Sequence, residues 1–469
     1  MEKPKGRNIW NILDKFKGDK VILMVALLLM LISVISVFSS TPLLALEKGI
    51  DRISIMTSQL KVVGIGVFVI AFLYVFGSSK WYRPLAMLCF WGSMALLVIL
   101  VFNLKLGFVQ AGEINGARRI IKVFGGQLHV YEFVKVMMVF YLAWALDTYK
   151  KDGFTWTKRQ AARFPRLRWL ASPSGEKLFY IYTPILLVTG CVMMGSNSSA
   201  LFIGGIMILL ILVGGIDYKD IAAVAGLLVI LALLFFFGYK AGIIPETGRI
   251  ATAVSRIFND DQEAMETLVT ARAGSREYNE ARDQLKQPVG ALLAIKEGGI
   301  IGKGIGGSTQ KYTVPVIFGD YMFSFIIEET GIIGAIVIIL LFFSLLARGT
   351  LVAKDCDDYF DKIVVVGLTI LVTGQAFMHM AVNVHMPLVP QTGQTLPLVS
   401  HGTNSFLVFS AVFGILLSIS RETWKKMKRR EAEATPLIGR HDEVQDSLTD
   451  LEMLENGNIT EEENKYGEL

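Results

Sequence analysis

Five ionisable side chains lie at the edges of long apolar stretches of this 469-residue chain or inside them, where a charge is costly unless it is paired or used. Glu132 and Lys135 are three residues apart and can neutralise one another on one helix face. Asp320 stands at the start of another apolar stretch, and Glu328 and Glu329 lie inside it, so that at least one of the two must face the protein interior, paired or protonated. The carboxylates could accept protons and Lys135 could bind an anion. An ion pair that only anchors a helix remains the alternative for Glu132 and Lys135.

A glycine-rich segment, Gly298–Ser308, precedes Asp320. It resembles a phosphate-binding loop but lacks the GxxxxGK[ST] pattern, because Gly304 follows Lys303. Two interpretations stay open. The segment is either a flexible turn before the next apolar stretch or a backbone whose N–H groups, with Lys303, approach an anionic ligand.

The sequence predicts no protein-held metal site and no disulfide framework. His379 and His385 are six residues apart and do not share a helix face, so ordinary hydrogen-bonded histidines are favoured over metal ligands. The three cysteines are scattered along the chain, two of them inside apolar runs.

Apolar residues are concentrated in blocks, with the charges in the gaps between them. The chain is 53% hydrophobic and 19% charged, with a mean hydropathy of +0.51, which argues against a cytosolic enzyme or a disordered chain. Because a membrane-spanning helix needs about 20 mostly apolar residues, the pattern predicts an all-α, polytopic membrane protein. The ten predicted spans are Val21–Ser39, Val62–Phe76, Pro84–Phe102, Phe133–Leu146, Leu178–Met194, Ala200–Gly214, Ile221–Gly238, Tyr321–Leu346, Ile363–Val384 and Ser405–Ser420.

The net charge of +5 would weakly suggest nucleic-acid binding in a soluble protein, but its distribution indicates orientation instead. Basic residues cluster in 1–20, 150–168 and 421–430, and ten spans place all three clusters on one side, the cytoplasm. We therefore predict a basic cytoplasmic arm at 1–20 and a ten-helix membrane domain at 21–420. A cytoplasmic tail at 421–469 is basic, then acidic and disordered. Nucleic acid is not an expected partner.

Three polar regions then face outward: 104–131, the large loop 241–319, and 385–404. Within the large loop, apolar residues recur at helical spacing. This spacing predicts helices at Ile250–Phe258 and Gln262–Glu280.

The outward regions resemble three motifs of the SEDS family (shape, elongation, division and sporulation), in the same order along the chain and over residues 18–425. The matching residues are Asn115–Arg119 with Glu132 and Lys135; Gly298–Gly304 with Gln310, Lys311, Pro315, Asp320 and Glu328–Gly331; and Pro390–Gly402, which includes Ser400. The departures are His129–Tyr131 for Gln-Pro-Ser, Ile120 for Trp, Val316–Gly319 for polar residues, and Thr403 for Gly.

The resemblance implies a peptidoglycan glycosyltransferase that polymerises lipid II at the outer face of the bacterial plasma membrane. Its implied partners are lipid II, membrane lipids, a class B penicillin-binding protein that acts as transpeptidase, and other divisome proteins. Gly18–Ile22, Val37–Ser40 and Thr392–Gln394 are more similar to the division-type members than to the elongation-type members, which favours the division septum.

The same resemblance implies roles for the candidate residues. Asp320 is expected to be the general base, with Lys135 and Glu132 also in the catalytic set and Glu328 and Glu329 supporting it. The expected substrate-binding residues are Arg118, Arg119, Lys303, Arg256 and Ser400. A divalent cation could accompany the substrate diphosphate, held mostly by the substrate itself.

Two other functions remain in competition. A lipid II flippase, or a secondary transporter that uses Glu328 and Glu329 as a proton relay, would also place carboxylates in a span; transporters, however, usually carry such charges near the bilayer midplane. A non-catalytic scaffold that recruits a transpeptidase is favoured by the departures from the motifs.

Overall fold

A computed structural model describes residues 16–433 except for 108, 115–116, 124–125, 152, 221, 223–225, 227–259, 387–388 and 390–392. The described helices are α1 Lys20–Ser40, α2 Pro42–Lys48, α3 Arg52–Phe76, α4 Ser79–Val101, α5 Val130–Lys151, α6 Thr155–Arg163, α7 Pro173–Met193, α8 Asn197–Val213, α9 Asp260–Thr270, α10 Arg276–Gly298, α11 Met322–Asp355, α12 Tyr359–Asn383 and α13 Thr403–Glu433. One compact unit runs from Asp19 to Ile419, and the end of α13 from Ser420 belongs to another.

Seven of the described helices are long and apolar enough to cross a membrane: α1, α3, α4, α7, α11, α12 and α13. The fourth and sixth predicted spans coincide with α5 and the shorter α8. The seventh, Ile221–Gly238, lies almost wholly outside the described residues. A multi-pass helical membrane protein is confirmed, whereas the count of ten spans stays a prediction.

Two polar contacts join α1 to α11, one near each end of α1. At one end the Asp19 carboxylate accepts from the N–H groups of Val21 and Ile22 and pairs with Arg348 at 2.6 Å. At the other end the Ser39 hydroxyl donates to Glu329 at 2.5 Å. The 21 residues of α1 rise about 30 Å, the thickness of the hydrocarbon core. Glu329 therefore lies at one boundary of that core.

A cluster of charged side chains joins three helix ends on the predicted inner side. Arg83, near the start of α4, contacts Asp147 at 3.1 Å and Asp358 at 2.8 Å. Lys151, at the end of α5, contacts the same two carboxylates at 2.9 and 3.4 Å. Because the start of α4, the end of α5 and the residue before α12 meet here, these helices run in the alternating directions that the predicted topology requires.

The region between α4 and α5 folds into a small antiparallel sheet that the sequence analysis missed. Its strands, in the order β1-β2-β3-β4, are β1 Lys105–Leu106, β2 Val109–Ile114, β3 Ala117–Val123 and β4 Gly126–His129. Ile120 and Ile121 of β3 are buried. The last strand leads directly into α5, so the sheet fixes the arginines of β3 relative to the start of that helix.

The large loop contains two described helices, and their bounds correct the predicted Gln262–Glu280. That stretch is broken between α9 and α10, where the Ser275 hydroxyl accepts from the Tyr278 N–H and caps α10. Ala264 of α9 packs with Ala281 and Leu285 of α10. The predicted helix Ile250–Phe258 lies outside the described residues.

Candidate active site at the outer helix ends

Asp320 lies just before α11, and its carboxylate packs against the backbone of another outward segment. A Cβ added to Gly393 would lie 2.8 Å from Asp320 Oδ2, so only a glycine leaves room for the carboxylate there. Burial raises the pKa of Asp320 to about 6, with the positive charge of Arg119 acting in the opposite direction. The carboxylate is therefore placed to exchange a proton near neutral pH.

The start of α11 is capped by side chains of α12. The first N–H groups of a helix have no partner within the helix. Here the Phe323 N–H donates to His379 Nε2 at 3.3 Å, and the Ser324 N–H donates to Asn383 Oδ1 at 3.0 Å. Asn383 Nδ2 in turn donates to the Asp320 carbonyl at 3.0 Å. His379 and Asn383 thereby fix the backbone that carries Asp320.

Gln375 belongs to the same polar stripe of α12, because Gln375, His379 and Asn383 follow one another at intervals of four residues. Its Nε2 donates to the Thr395 carbonyl at 3.0 Å, and His379 Nδ1 contacts the Gln394 carbonyl at 2.6 Å. The stripe therefore holds both the segment that contacts the Asp320 carboxylate and the start of α11. Sequence analysis found His379 as a hydrogen-bonded histidine but missed Gln375 and Asn383, although their spacing was visible.

The segment from Gly393 to Gly402 is also joined to the residues just before Asp320. The Ser400 hydroxyl donates to the Gly319 carbonyl at 2.7 Å and accepts from the Leu396 N–H at 2.9 Å. The His401 N–H donates to the Phe318 carbonyl at 2.9 Å. Ser400 is buried and its hydroxyl holds this loop, so its predicted contact with substrate stays a prediction.

Lys135 is buried in α5 and its ammonium is already surrounded. It donates to Glu132 Oε1 at 2.9 Å and to Gln375 Oε1 at 2.5 Å, and it lies 5.6 Å from the Phe202 ring centroid. The predicted Glu132–Lys135 pair is thus present, but Lys135 is only 4% exposed. Because Gln375 in turn donates to the Thr395 carbonyl, Gln375 connects Lys135 to the backbone of Thr395.

Unlike Lys135, the two arginines of β3 are only partly buried. Arg118 donates to the Val101 carbonyl at 3.3 Å, and Arg119 donates through Nε to the Gly195 carbonyl at 3.4 Å. Arg119 lies near enough to Asp320 to influence its charge. Burial lowers the pKa of the nearby His129. The charge of Glu132 raises this pKa, and the charge of Arg119 lowers it. The positive charge of Arg119 therefore acts on the pKa of the candidate base, Asp320.

The glycine-rich segment is tied into a break in α11. Gly331 has φ 70° and ψ −170°, which interrupts the helix. The carbonyls of Glu328 and Glu329, which the break frees, accept from the N–H groups of Lys303 and Gly304 at 2.9 Å each. The N–H groups of Lys303 and Gly304 are therefore used within the protein, and the predicted approach of this segment to an anionic ligand stays a prediction.

The carboxylates of Glu328 and Glu329 bind the same segment. Glu328 is fully buried and accepts from the Ser308 hydroxyl at 2.5 Å, the Thr309 N–H at 2.7 Å and Lys303 Nζ at 3.0 Å. Glu329 accepts from the Gly306 N–H at 3.0 Å as well as from Ser39. Glu329 therefore lies level with the end of α1 that carries Ser39, and Glu328 lies beside the glycine-rich segment.

The structure thus brings Asp320, Arg119 and the Glu132–Lys135 pair toward one outer site, and it places Lys303 among the carboxylates of Glu297 and Glu328. The predicted Arg256 lies outside the described residues. Among the buried polar atoms without a hydrogen-bond partner in the described part of the chain are two acceptors close to this site, Oε2 of Glu132 and Oε1 of Gln394. Both could accept from hydroxyl groups of a ligand.

These observations define a multi-pass membrane protein whose polar site lies at the outer ends of its helices. The chain belongs to the family of cell cycle proteins FtsW, RodA and SpoVE, whose family model matches residues 19–425. It is 27% identical over 414 residues to a probable peptidoglycan glycosyltransferase FtsW of Geobacter metallireducens, covering 87% of this chain and 96% of the relative. It is 28% identical to the stage V sporulation protein E of Bacillus subtilis, covering 87% and 98%.

Two solved structures have the same fold. The first is a chain from a structure of a peptidoglycan synthase complex that coordinates polymerisation and crosslinking. Its TM-score is 0.60 and its sequence identity is 19%, and the match covers 87% of this chain and 98% of that chain. The other is the rod shape determining protein RodA of Thermus thermophilus, with a TM-score of 0.53, 18% identity and coverage of 87% and 99%. The resemblance seen in the sequence is therefore confirmed at the level of family and fold.

Proposed function

We propose that this protein is a peptidoglycan glycosyltransferase that polymerises lipid II at the outer face of the bacterial plasma membrane. The observation that carries the proposal is the Asp320 carboxylate, held at the outer end of α11 with a pKa of about 6 and influenced by Arg119. The names of the relatives in Geobacter metallireducens and other bacteria support the same reaction.

In this reaction Asp320 takes the proton from the 4-hydroxyl of the acceptor sugar. That oxygen attacks the anomeric carbon of the donor, the bond to the undecaprenyl diphosphate breaks, and the configuration inverts. Asp320 lies beyond the outer end of α11, roughly 10 Å farther out than Glu329 at the hydrocarbon boundary. This height suits a sugar whose diphosphate lies among the lipid headgroups.

The leaving diphosphate needs positive charge directed at it. Arg119, with Arg118, is better placed for this role than Lys135, because Lys135 is buried and neutralised by Glu132. We assign Lys135 instead to positioning, since it holds Gln375 and, through it, the Thr395 backbone.

In the part of the chain that the structure describes, His, Cys, Asp and Glu form no group suited to a metal ion. A divalent cation on the substrate diphosphate stays a proposal, tested by chelation and re-addition.

Asp320→Asn in the full-length protein tests the central claim. The substitution keeps the size of the side chain and removes the base, so we expect glycan strand synthesis from lipid II to fall by about 10²-fold or more. Folding would be checked by thermal stability in detergent. Undiminished synthesis by a folded Asp320→Asn variant would refute the base assignment.

A transporter that relays protons through Glu328 and Glu329 is not favoured by their contacts. Both carboxylates are bound by hydroxyl and N–H groups of the glycine-rich segment or of α1. Lipid translocation in liposomes without any strand synthesis would support the flippase. A purified protein that binds its partner and neither polymerises nor translocates would support the scaffold.

A class B penicillin-binding protein is the proposed partner. The solved relative from a complex that coordinates polymerisation with crosslinking supports this assignment. The relatives named FtsW favour a role in division. Co-purification with the transpeptidases of the same cell and fluorescence at the septum would test the partner and the location separately.

A further inference from the structure

Three isoleucines of the glycine-rich segment are exposed beside the break in α11. Ile300, Ile301 and Ile305 are 71%, 78% and 69% exposed, although large apolar side chains on a water-facing loop are unfavourable. We call Gly299–Gly306 the isoleucine loop. Its exposed residues are not explained by the reaction at Asp320.

Hydrogen bonds to α11 and the conformations of three glycines hold the backbone of the isoleucine loop. Gly302, Gly304 and Gly306 have φ angles of 85–86°, a region that favours glycine. The N–H groups of Lys303 and Gly304 donate to carbonyls of α11, and the Gly306 N–H donates to the Glu329 carboxylate. The isoleucines are therefore presented outward by a fixed backbone.

The apolar surface of the loop continues onto the membrane-facing side of α11. The N–H groups of Ile332 and Ile333 donate to the carbonyls of Gly299 and Ile300 at 3.0 and 3.5 Å. Ile332 and Ile333 are themselves about half exposed on a helix that crosses the membrane, as is Leu340 farther along. The exposed isoleucines of the loop thus adjoin exposed apolar residues of α11.

The contacts of α1 with α11 give the depth of this face. About 24 Å of helix separates Ile332 from Arg348, the residue that pairs with Asp19 at the inner end. Because the hydrocarbon core is about 30 Å thick, Ile332 and the adjoining loop lie at its outer boundary. Lys303 brings no unpaired charge there, since Glu297 and Glu328 bind it.

We propose that the isoleucine loop inserts Ile300, Ile301 and Ile305 into the outer leaflet, so that the lipid bilayer itself is the partner of this surface. Interfacial segments bury their apolar side chains about 5–10 Å into the boundary between headgroups and acyl chains. The insertion holds the segment between α10 and α11 at a constant depth. It does not depend on the reaction assigned to Asp320.

Spin-label accessibility tests the proposal in the full chain reconstituted into lipid nanodiscs. Cys89, Cys191 and Cys356 are first replaced by alanine, and a nitroxide is attached at Ile301→Cys. We expect strong relaxation by oxygen and protection from a water-soluble nickel chelate, as for a label at Leu340→Cys on α11. Val269→Cys on α9, where Val269 is 86% exposed, serves as the aqueous control.

Accessibility like that of the Val269 label would overturn the proposal, provided that the Leu340 label still reports a lipid environment and hence a folded protein. A second outcome would also overturn it. If the Ile301 label is aqueous in the protein alone and becomes protected only when a transpeptidase is added, the surface is a protein interface.

Discussion

Asp320 can act as a base only while it is ionised, and two features of its surroundings have opposite effects on its pKa. Burial favours the neutral acid, whereas Arg119 favours the carboxylate, and the balance leaves the pKa at about 6. Strand synthesis should therefore decline as the pH falls through about 6.

Arg119→Gln should move this acid limb to higher pH. Removing the cation leaves burial unopposed, so the pKa of Asp320 rises. The measurement is the pH dependence of strand synthesis at saturating lipid II, with Arg166→Gln, an exposed residue of the basic cluster 150–168, as the matched control. An unshifted acid limb would mean that Arg119 does not act on Asp320.

Gly393→Ala should impair the same carboxylate by crowding. A Cβ at this position would lie 2.8 Å from Asp320 Oδ2, so the carboxylate must move. We expect activity to fall by about tenfold or more, since displacement of this kind costs about 1–3 kcal/mol. Gly402→Ala is the control, because its Cβ would meet nothing closer than 3.8 Å. Equal activity of the two variants would contradict the close contact.

Among the helices and loops, α12 acts as the support of the site. Three of its polar side chains hold the start of α11 and the segment after Gly393 in fixed positions. The isoleucine loop holds α11 in the same way where that helix is broken at Gly331.

Asn383→Ala should lower both stability and activity. It leaves the Ser324 N–H and the Asp320 carbonyl without this partner, and a buried unsatisfied group costs about 1–3 kcal/mol. Thermal unfolding in detergent and strand synthesis would be compared with those of Val384→Ala, at an adjacent half-exposed residue. A stable Asn383→Ala variant with full activity would exclude this positioning role.

Glu328→Gln should loosen the glycine-rich segment. The carboxylate accepts from the Ser308 hydroxyl and the N–H groups of Thr309 and Gln310, whereas an amide nitrogen in its place can only donate. We expect faster hydrogen exchange in residues 303–310 and unchanged exchange in α12. If exchange is unaltered while proton-coupled transport is lost, the relay interpretation regains its support.

The limits of sequence-based prediction differ from one element to the next. Glu132–Lys135 was predictable because the pair is local to one helix. The contact of Ser39 with Glu329 joins residues 290 positions apart, so no local pattern could reveal it. The sheet was in principle foreseeable, since the dipeptide Asn-Gly in the sequence at 115–116 is typical of hairpin turns. The polar stripe of α12 was visible, but its targets required the packed helices.

For the molecule as a whole, the structure separates two polar ends, and the predicted orientation assigns one of them to each side of the membrane. The cluster of Arg83, Asp147, Lys151 and Asp358 lies at the predicted inner side, and the sheet, α9, α10 and the segment after Gly393 belong to the predicted outer regions. In a cysteine-free background, Val269→Cys should react with an impermeant maleimide in intact spheroplasts. Lys354→Cys should react only after permeabilisation, and the reverse pattern would invert the assigned topology.

The two polar contacts between α1 and α11 have a further consequence for lipid composition. Because Asp19–Arg348 and Ser39–Glu329 are separated by a fixed length of helix, the protein cannot easily adjust its apolar height. Acyl chains that are much shorter or longer must then deform around it, at a cost for each ångström of mismatch. Such a protein would be concentrated in, and work fastest in, bilayers of matching thickness.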